Sequence, residues 1–435
     1  METRARRDET ADPLPRRVSL GIALPAAGPF TAEGMRAGAV VPGSMAAGAG
    51  LAAGDVVTAL DGLPLRSMAE LRAATRAAAG RATVTLSAMR GGAPFEATVS
   101  VLARPVEQIE GNDVRYEHVT AEDGARLRTI VTRPRAPGPH PAVLFLQGIG
   151  RESLDLAAAP SAPVARLLHG WAAAGFVTMR LEKRGVGDSD GEEADFDAEV
   201  ADDRAALRAL AADPAVDGRA VFLFGHSVGG MIAPLLAAEG SEGACPHSTY
   251  SNSEKARSSR GEPRGGGPPV RGILVFGTSS ARWLDCLAAG TRRQLALRGA
   301  GEEEIQRALD RERSEGHGVR TPEYHAQLQA RDLGAAWDRT GCDVLVIVGE
   351  HDWVVGEDEQ RAICERIEQR RPGAAERLDL DGTDHWMTRH ASLEDSLANG
   401  GRGAFDERLV TATVAWMRQR AGRPRGTGEN GNAPR

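Results

Sequence analysis

At 435 residues the chain exceeds one ordinary core, and two domains are the expectation. Acidic and basic residues number 60 and 53, are interleaved and leave a formal net charge of −7, which excludes the basic footprint of a nucleic-acid binder. Cys245, Cys286, Cys342 and Cys364 show neither CxxC spacing nor histidines at metal-ligand distance, so they read as reduced structural thiols and no metal site is expected.

Residues 1–17 are charged, contain proline and lack the apolar core of a secretory leader. Nowhere do the roughly 18 consecutive apolar residues of a membrane span occur. A cytoplasmic location without a membrane span is therefore expected. Aromatics at 4% beside abundant Ala, Gly, Arg and Pro fit a GC-rich bacterial genome and carry no functional message.

From 18 to 104, short strands and turns surround one helix, 67–79, in which Met68, Leu71 and Ala74 recur at helical spacing. The run Val40-Val41-Pro42-Gly43-Ser44-Met45, then Gly50-Leu51-Ala52-Ala53-Gly54-Asp55 and the apolar 56–60, resembles the bacterial PDZ pattern of strand, PGSPA-type helix, GL-x-x-GD and strand. Met45 stands where that pattern often has Pro, and Ser19-Leu20-Gly21-Ile22 is loosely similar to its carboxylate-binding loop. The resemblance implies a small α+β domain that takes a peptide or protein C-terminus as an added strand. A rigid accessory domain without a ligand is the other reading.

A charged hinge at 104–114 leads into a region where strands alternate with longer helices, the pattern of a mostly parallel, doubly wound α/β sheet. Strands are expected at 115–121, 125–133, 141–147, 176–182, 220–226, 272–277, 343–349 and 375–380, the first two antiparallel. Helices are expected near 161–174, 197–212, 228–239, 357–370 and 404–420. Several strands, such as 142–146, 221–224 and 344–348, are almost wholly apolar, as strands covered on both faces should be. Two stretches interrupt the alternation. Residues 240–269 are rich in Gly, Ser, Pro and charge and read as a disordered insertion, as does the tail 421–435. Residues 280–339 are amphipathic helical material between two core strands and read as a cap over the domain at 115–420.

The strand 221–224 runs into Gly225-His226-Ser227-Val228-Gly229-Gly230 and then into the helix-forming 231–238. Glycines two before and two after the serine permit the sharp strand-to-helix turn of a nucleophile elbow. A hydroxyl attacks poorly at neutral pH and needs a base beside it and donors for the oxyanion. The segment, with Arg184-Gly185-Val186-Gly187-Asp188-Ser189 and Gln147-Gly148-Ile149-Gly150, resembles the α/β-hydrolase superfamily. Within it the likeness is to the GHSxGG serine esterases related to dienelactone hydrolases and the prolyl oligopeptidase clan, over roughly 116–420.

In that fold the acid and the histidine follow the serine, each in a loop after a later strand. The resemblance thus implies Asp352, in Gly349-Glu350-His351-Asp352-Trp353 after strand 343–349, and His385, in Asp381-Gly382-Thr383-Asp384-His385-Trp386 after the last strand. Glu350 and Asp358 are rival carboxylates, and His390 is the rival base. His226 and His351 are expected to shape the pocket, and Asp384 to form the turn. Two backbone donors complete the set: Val228, after the nucleophile, and Ile149, in a loop like HGxG with Gln147 in the histidine's place. Trp283, Trp353 and Trp386 line the pocket or pack in the core.

GxGxxG at a strand–helix junction and HExxH are absent, so no cofactor is implied. The expected reaction is cleavage of a carboxylic ester of a small-molecule or acyl substrate through an acyl-enzyme. Peptidase, thioesterase and acyltransferase activities use the same triad and stay open, as does a non-catalytic PDZ scaffold.

Overall fold

The computed structural model describes residues 14–25, 28–242, 267–315 and 318–422. The chain divides into two compact units, Met1–Val106 and Glu107–Arg435.

In the first unit, β1 (Ile22–Ala23) pairs antiparallel with β3 (Ala39–Val40). A second antiparallel sheet orders β2 (Met35–Arg36), β4 (Val56–Leu60), β6 (Thr83–Arg90) and β7 (Ala93–Ser100), with β5 (Leu63–Pro64) on β4. Two helices, α1 (Met45–Gly48) and α2 (Met68–Ala77), start where Ser44 and Ser67 hydroxyls accept the N–H groups three residues on. The helix expected at 67–79 is α2. Asp55 of the GD pair is buried against the Arg90 guanidinium at 2.7 Å, which holds its carboxyl below the usual carboxylate range.

The second unit is built on one eight-stranded sheet. In chain order its strands are β8 (Asn112–Thr120), β9 (Arg126–Pro134), β10 (His140–Leu146), β11 (Val177–Leu181), β12 (Val216–His226), β13 (Gly272–Phe276), β14 (Asp343–Gly349) and β15 (Ala375–Leu380). They lie in the order β15-β14-β13-β12-β10-β11-β9-β8. β9 is antiparallel to β8 and to β11, and the remaining pairings are parallel. This crossed order, with two antiparallel strands at one edge, is that of the α/β-hydrolase fold.

Alternation along each strand divides the core into two layers. Ala142, Leu144, Leu146, Leu223, Val275 and Val346 face α4 (Phe196–Ala211), α5 (Val228–Glu242) and α10 (Glu357–Arg370). Val143, Phe145, Phe222, Phe224, Leu274 and Ile347 face α3 (Pro163–Ala173) and α12 (Arg408–Ala421). Each such Val, Leu, Ile or Phe contributes about 1.5–3 kcal/mol by burial, which fixes the register on both faces at once.

Between β13 and β14 lie α6 (Trp283–Leu297), α7 (Glu302–Glu315), α8 (Pro322–Gln329) and α9 (Leu333–Arg339), the helical segment expected at 280–339. After β15, β16 (Thr388–Arg389) pairs with β17 (Ala404–Phe405) around α11 (Leu393–Asn399). That pairing takes up 404–405, so α12 begins at Arg408 rather than at 404. Most of the expected insertion, 243–266, and the tail from 423 onward lie outside the described residues.

The charged stretch 104–114 is only in part a linker. Glu107 is buried, accepts the Leu156 N–H at 3.0 Å and the His169 ring N–H at 3.1 Å, and pairs with the fully buried Arg180. A buried guanidinium needs a counter-charge, and Glu107 supplies it from the chain's entry into the second unit.

Candidate active site

β12 ends at His226 and α5 begins at Val228, leaving Ser227 alone to make the turn at φ +53°. An L-residue in this left-handed region costs about 1–2 kcal/mol. The strain is held by two backbone bonds: the Ser227 N–H donates to Phe276 O at 3.0 Å, and the Gly230 N–H donates to Ser227 O at 2.9 Å. Gly229 is required by packing, because a Cβ there would sit 2.1 Å from Leu146 O. The start of α5 therefore lies against the end of β10 and brings the 147–150 loop to the serine.

Asp352 follows β14 and is buried. Its Oδ1 accepts the N–H groups of Val354 and Val355, each at 2.9 Å, and its Oδ2 accepts the His385 Nδ1–H at 2.8 Å. Three donors leave this carboxylate one orientation, and its bond to His385 places the imidazole proton on Nδ1 and leaves Nε2 without one. His385, also buried, sits in the turn between β15 and β16. Asp384 shapes that turn by accepting the N–H groups of Trp386, Thr388 and Gly401 at 3.0, 2.7 and 2.8 Å.

His226 links the serine strand to this turn. Its Nε2–H donates to His385 O at 2.8 Å, and the two rings lie 5.0 Å apart. Burial first, then the neighbouring His385, pushes the His226 imidazole down to about 4, so it is neutral near pH 7.

The rival residues lie elsewhere. Glu350 is exposed and accepts the Gly382 N–H at 2.7 Å. Asp358 is exposed beside Arg361. His390 is engaged by Asp384 at 3.1 Å and Asp395 at 3.3 Å, and the His351 ring bonds to His390 O at 3.1 Å.

Gly148 packs on the serine, since a Cβ there would lie 3.1 Å from Ser227 Cβ. Among the described residues, neither the Ile149 nor the Val228 N–H donates to a protein acceptor. Both residues line one cavity of about 170 Å³ with Ser227, Met231, Trp283 and Trp353. Trp386 is half-exposed and packs edge-on against His385 instead. No group of three or more His, Cys, Asp or Glu side chains among the described residues could hold a metal ion. No helix among them is long and apolar enough to cross a membrane.

One contributor escaped the sequence reading. Gly277, at φ +63°, follows β13 and lines the cavity. A Cβ there would sit 2.7 Å from His385 Nδ1 and 3.0 Å from Asp352 Oδ2. The available signal was its place at the carboxyl end of a core strand, where ligands of open α/β sheets gather.

Comparison with known proteins places these observations among relatives. The sequence model of the family described as X-Pro dipeptidyl-peptidase (S15 family) matches residues 123–386, and that of the PDZ domain matches residues 36–87. The chain is 23% identical to Esterase EstD of Thermotoga maritima over 292 residues, which is 66% of this chain and 64% of EstD. It thus spans a little under two thirds of that relative's length. It is 44% identical over 62 residues to the periplasmic pH-dependent serine endoprotease DegQ of Escherichia coli, 14% of each chain. Among solved structures, the Pyrococcus furiosus esterase Pf2001 overlaps 74% of this chain and 99% of its own at 14% identity and a TM-score of 0.45. Est1E from Butyrivibrio proteoclasticus with ferulic acid bound overlaps 70% and 99% at 13% identity and a TM-score of 0.46.

Proposed function

This chain belongs to the X-Pro dipeptidyl-peptidase (S15) family, and on that footing we propose that it hydrolyses a carboxylic ester through an acyl-enzyme on Ser227. Ser227 Oγ attacks the ester carbonyl while His385 Nε2 takes its proton. Asp352 holds the ring and stabilises the imidazolium. The carbonyl oxygen becomes an oxyanion between the Ile149 and Val228 N–H groups. His385 returns the proton to the departing alkoxide, and a water deprotonated by the same histidine releases the acid.

The observation that carries esterase over dipeptidyl-peptidase is the wall of the cavity. Among the described residues its lining, from Ile149 and Met231 to Trp283, Leu287, Trp353 and Val354 with the uncharged polar Thr291 and Gln294, contains no carboxylate. A peptidase that counts two residues from a free N-terminus must pair the substrate's ammonium with an anion, because an unpaired cation in an apolar pocket is costly. An uncharged acyl group has no such need. A cavity of about 150 Å³ holds one benzene ring, so this one suits a short acyl chain or a single aromatic ring. The nucleophile elbow of the sequence reading is supported by the one-residue turn at Ser227.

The test compares p-nitrophenyl acyl esters with an alanyl-prolyl anilide, alongside fluorophosphonate labelling mapped by peptide mass. Faster anilide turnover would reverse the order. Folded protein that leaves Ser227 unlabelled would remove the mechanism. For the PDZ unit we propose capture of a peptide C-terminus as a strand beside β1, measured by anisotropy with labelled C-terminal peptides.

A further inference from the structure

Two consecutive carbonyls of the 147–150 loop are held by buried cations. The Lys183 ammonium donates to Gly148 O, and the Arg320 guanidinium donates to Ile149 O at 3.3 Å. Both cations meet on the buried Glu199 carboxylate, at 2.9 and 2.8 Å. Asp203 also faces Lys183, and its carboxyl is raised well above the usual range, first by burial and then by Glu199. Arg320 is further engaged by Glu193 at 2.7 Å, by Ala194 O at 2.9 Å and by the face of Tyr324 at 3.8 Å.

The two carbonyls differ in consequence. In a trans peptide the C=O and the following N–H point in opposite directions across one rigid plane. The plane that carries Gly148 O also carries the Ile149 N–H. The plane that carries Ile149 O carries the Gly150 N–H, which the mechanism does not use. We propose that Lys183 is a positioning residue of the oxyanion site: by holding the Gly148 carbonyl it aims the Ile149 N–H at the reacting oxygen and polarises it. A cation on the oxygen end draws charge through the peptide and strengthens the donor at the nitrogen end. The choice of side chain is consistent with this role. Of the 53 basic residues 51 are arginine, and Lys183 is one of two lysines. Its compact ammonium bonds the Gly148 carbonyl and the Glu199 carboxylate from a single point.

The inference rests on the acyl-enzyme reading, and the experiment separates the two. Wild-type protein and the K183M variant are titrated with a fluorophosphonate, and kcat, KM and butylboronic acid affinity are then referred to titrated sites. Loss of a whole oxyanion donor costs about 10²–10³ in kcat, and a misaimed donor is expected to cost about 10–100-fold. KM should stay within about threefold, and affinity for the tetrahedral boronate should fall in parallel with kcat. R320M, which releases the Ile149 carbonyl paired with Gly150 together with the other Arg320 contacts but leaves Lys183 on Gly148 O, should keep kcat closer to wild type. Titrated K183M with wild-type kcat, or with lowered kcat but unchanged boronate affinity, overturns the proposal. If K183M does not fold, E199Q decides. It keeps volume and the Arg320 contacts to Glu193, Ala194 O and Tyr324 while removing the charge that both cations share, and it should show the same split in smaller measure. E199Q with wild-type kcat and boronate affinity overturns the proposal too. Wild-type protein that the fluorophosphonate does not titrate would sink the acyl-enzyme reading itself.

Discussion

Replacing Gly277 with alanine tests whether the Asp352–His385 pair is held by the space that a missing side chain leaves. The new Cβ would lie 2.7 Å from His385 Nδ1, 2.8 Å from Cε1 and 3.0 Å from Asp352 Oδ2. To reach an ordinary contact of 3.4 Å the ring must retreat by about 0.7 Å. The backbone is tethered on its other side, where the Gly277 N–H donates to the buried Gln360 side chain at 3.2 Å. A retreat of that size along the 2.8 Å His385–Asp352 bond stretches it to about 3.5 Å, at the outer edge of hydrogen-bond range. Misplacement on the 1 Å scale costs about 100-fold in rate. The φ of +63° adds about 1–2 kcal/mol of backbone strain for any L-residue. We expect G277A to be folded, less stable by that amount in urea titration, and lower in kcat by about two orders of magnitude on p-nitrophenyl esters. A folded G277A with wild-type kcat would show that His385 and Asp352 need no such accommodation, and the account of the site would fail.

D352N keeps the acceptor for Val354 and Val355 but loses the charge that fixes the His385 tautomer; kcat should fall by about 10³–10⁴-fold with little change in KM, measured by steady-state kinetics. M231A widens the cavity beside Ser227, and an acyl chain-length series should shift toward longer chains, one added methylene being worth about 10-fold or more. His226 titrates near 4 in the folded chain against 6.5 when free. Between those values the unfolded chain binds a proton that the folded site refuses, so stability is complete above pH 6.5 and falls as pH drops toward 4. The loss is at most about 3 kcal/mol and less for a ring with some solvent contact; urea titrations across pH should lose that slope in H226Q. A fragment of residues 107–435 should turn over small esters like the full chain, since the cavity lies within the second unit. One starting at 115 leaves buried Arg180 without Glu107 and should lose about 3–5 kcal/mol, read by thermal melts.

Much of the architecture was legible in the residues because the sheet is buried on both faces. Runs such as 142–146 and 344–348 are apolar without interruption, a composition that few other environments permit, and each proved a strand of the parallel core. The order of Ser227, Asp352 and His385 came instead from the resemblance to the α/β-hydrolase fold, in which the acid and the histidine follow the serine in loops where later strands end. Choosing between neighbours was another matter. Asp352 and Glu350 stand two residues apart, and His385 and His390 five; only folding shows that Val354 and Val355 turn back to bind Asp352, while His390 is enclosed by Asp384 and Asp395.

What the sequence determined by itself was the set of local commitments: apolar strands, a serine flanked by glycines, a PDZ-like run closed by Gly54-Asp55. What only the tertiary structure decided were relations between distant residues. Gly277 matters because His385 arrives beside it, Glu107 belongs to the second unit because Arg180 is buried there, and Lys183 meets the carbonyl of Gly148, 35 residues away. A one-dimensional pattern records which side each residue prefers, water or core. It does not record which partner will occupy the same few ångströms, and here such partners hold the Asp352 carboxylate, the His385 ring and the Gly148 carbonyl in place.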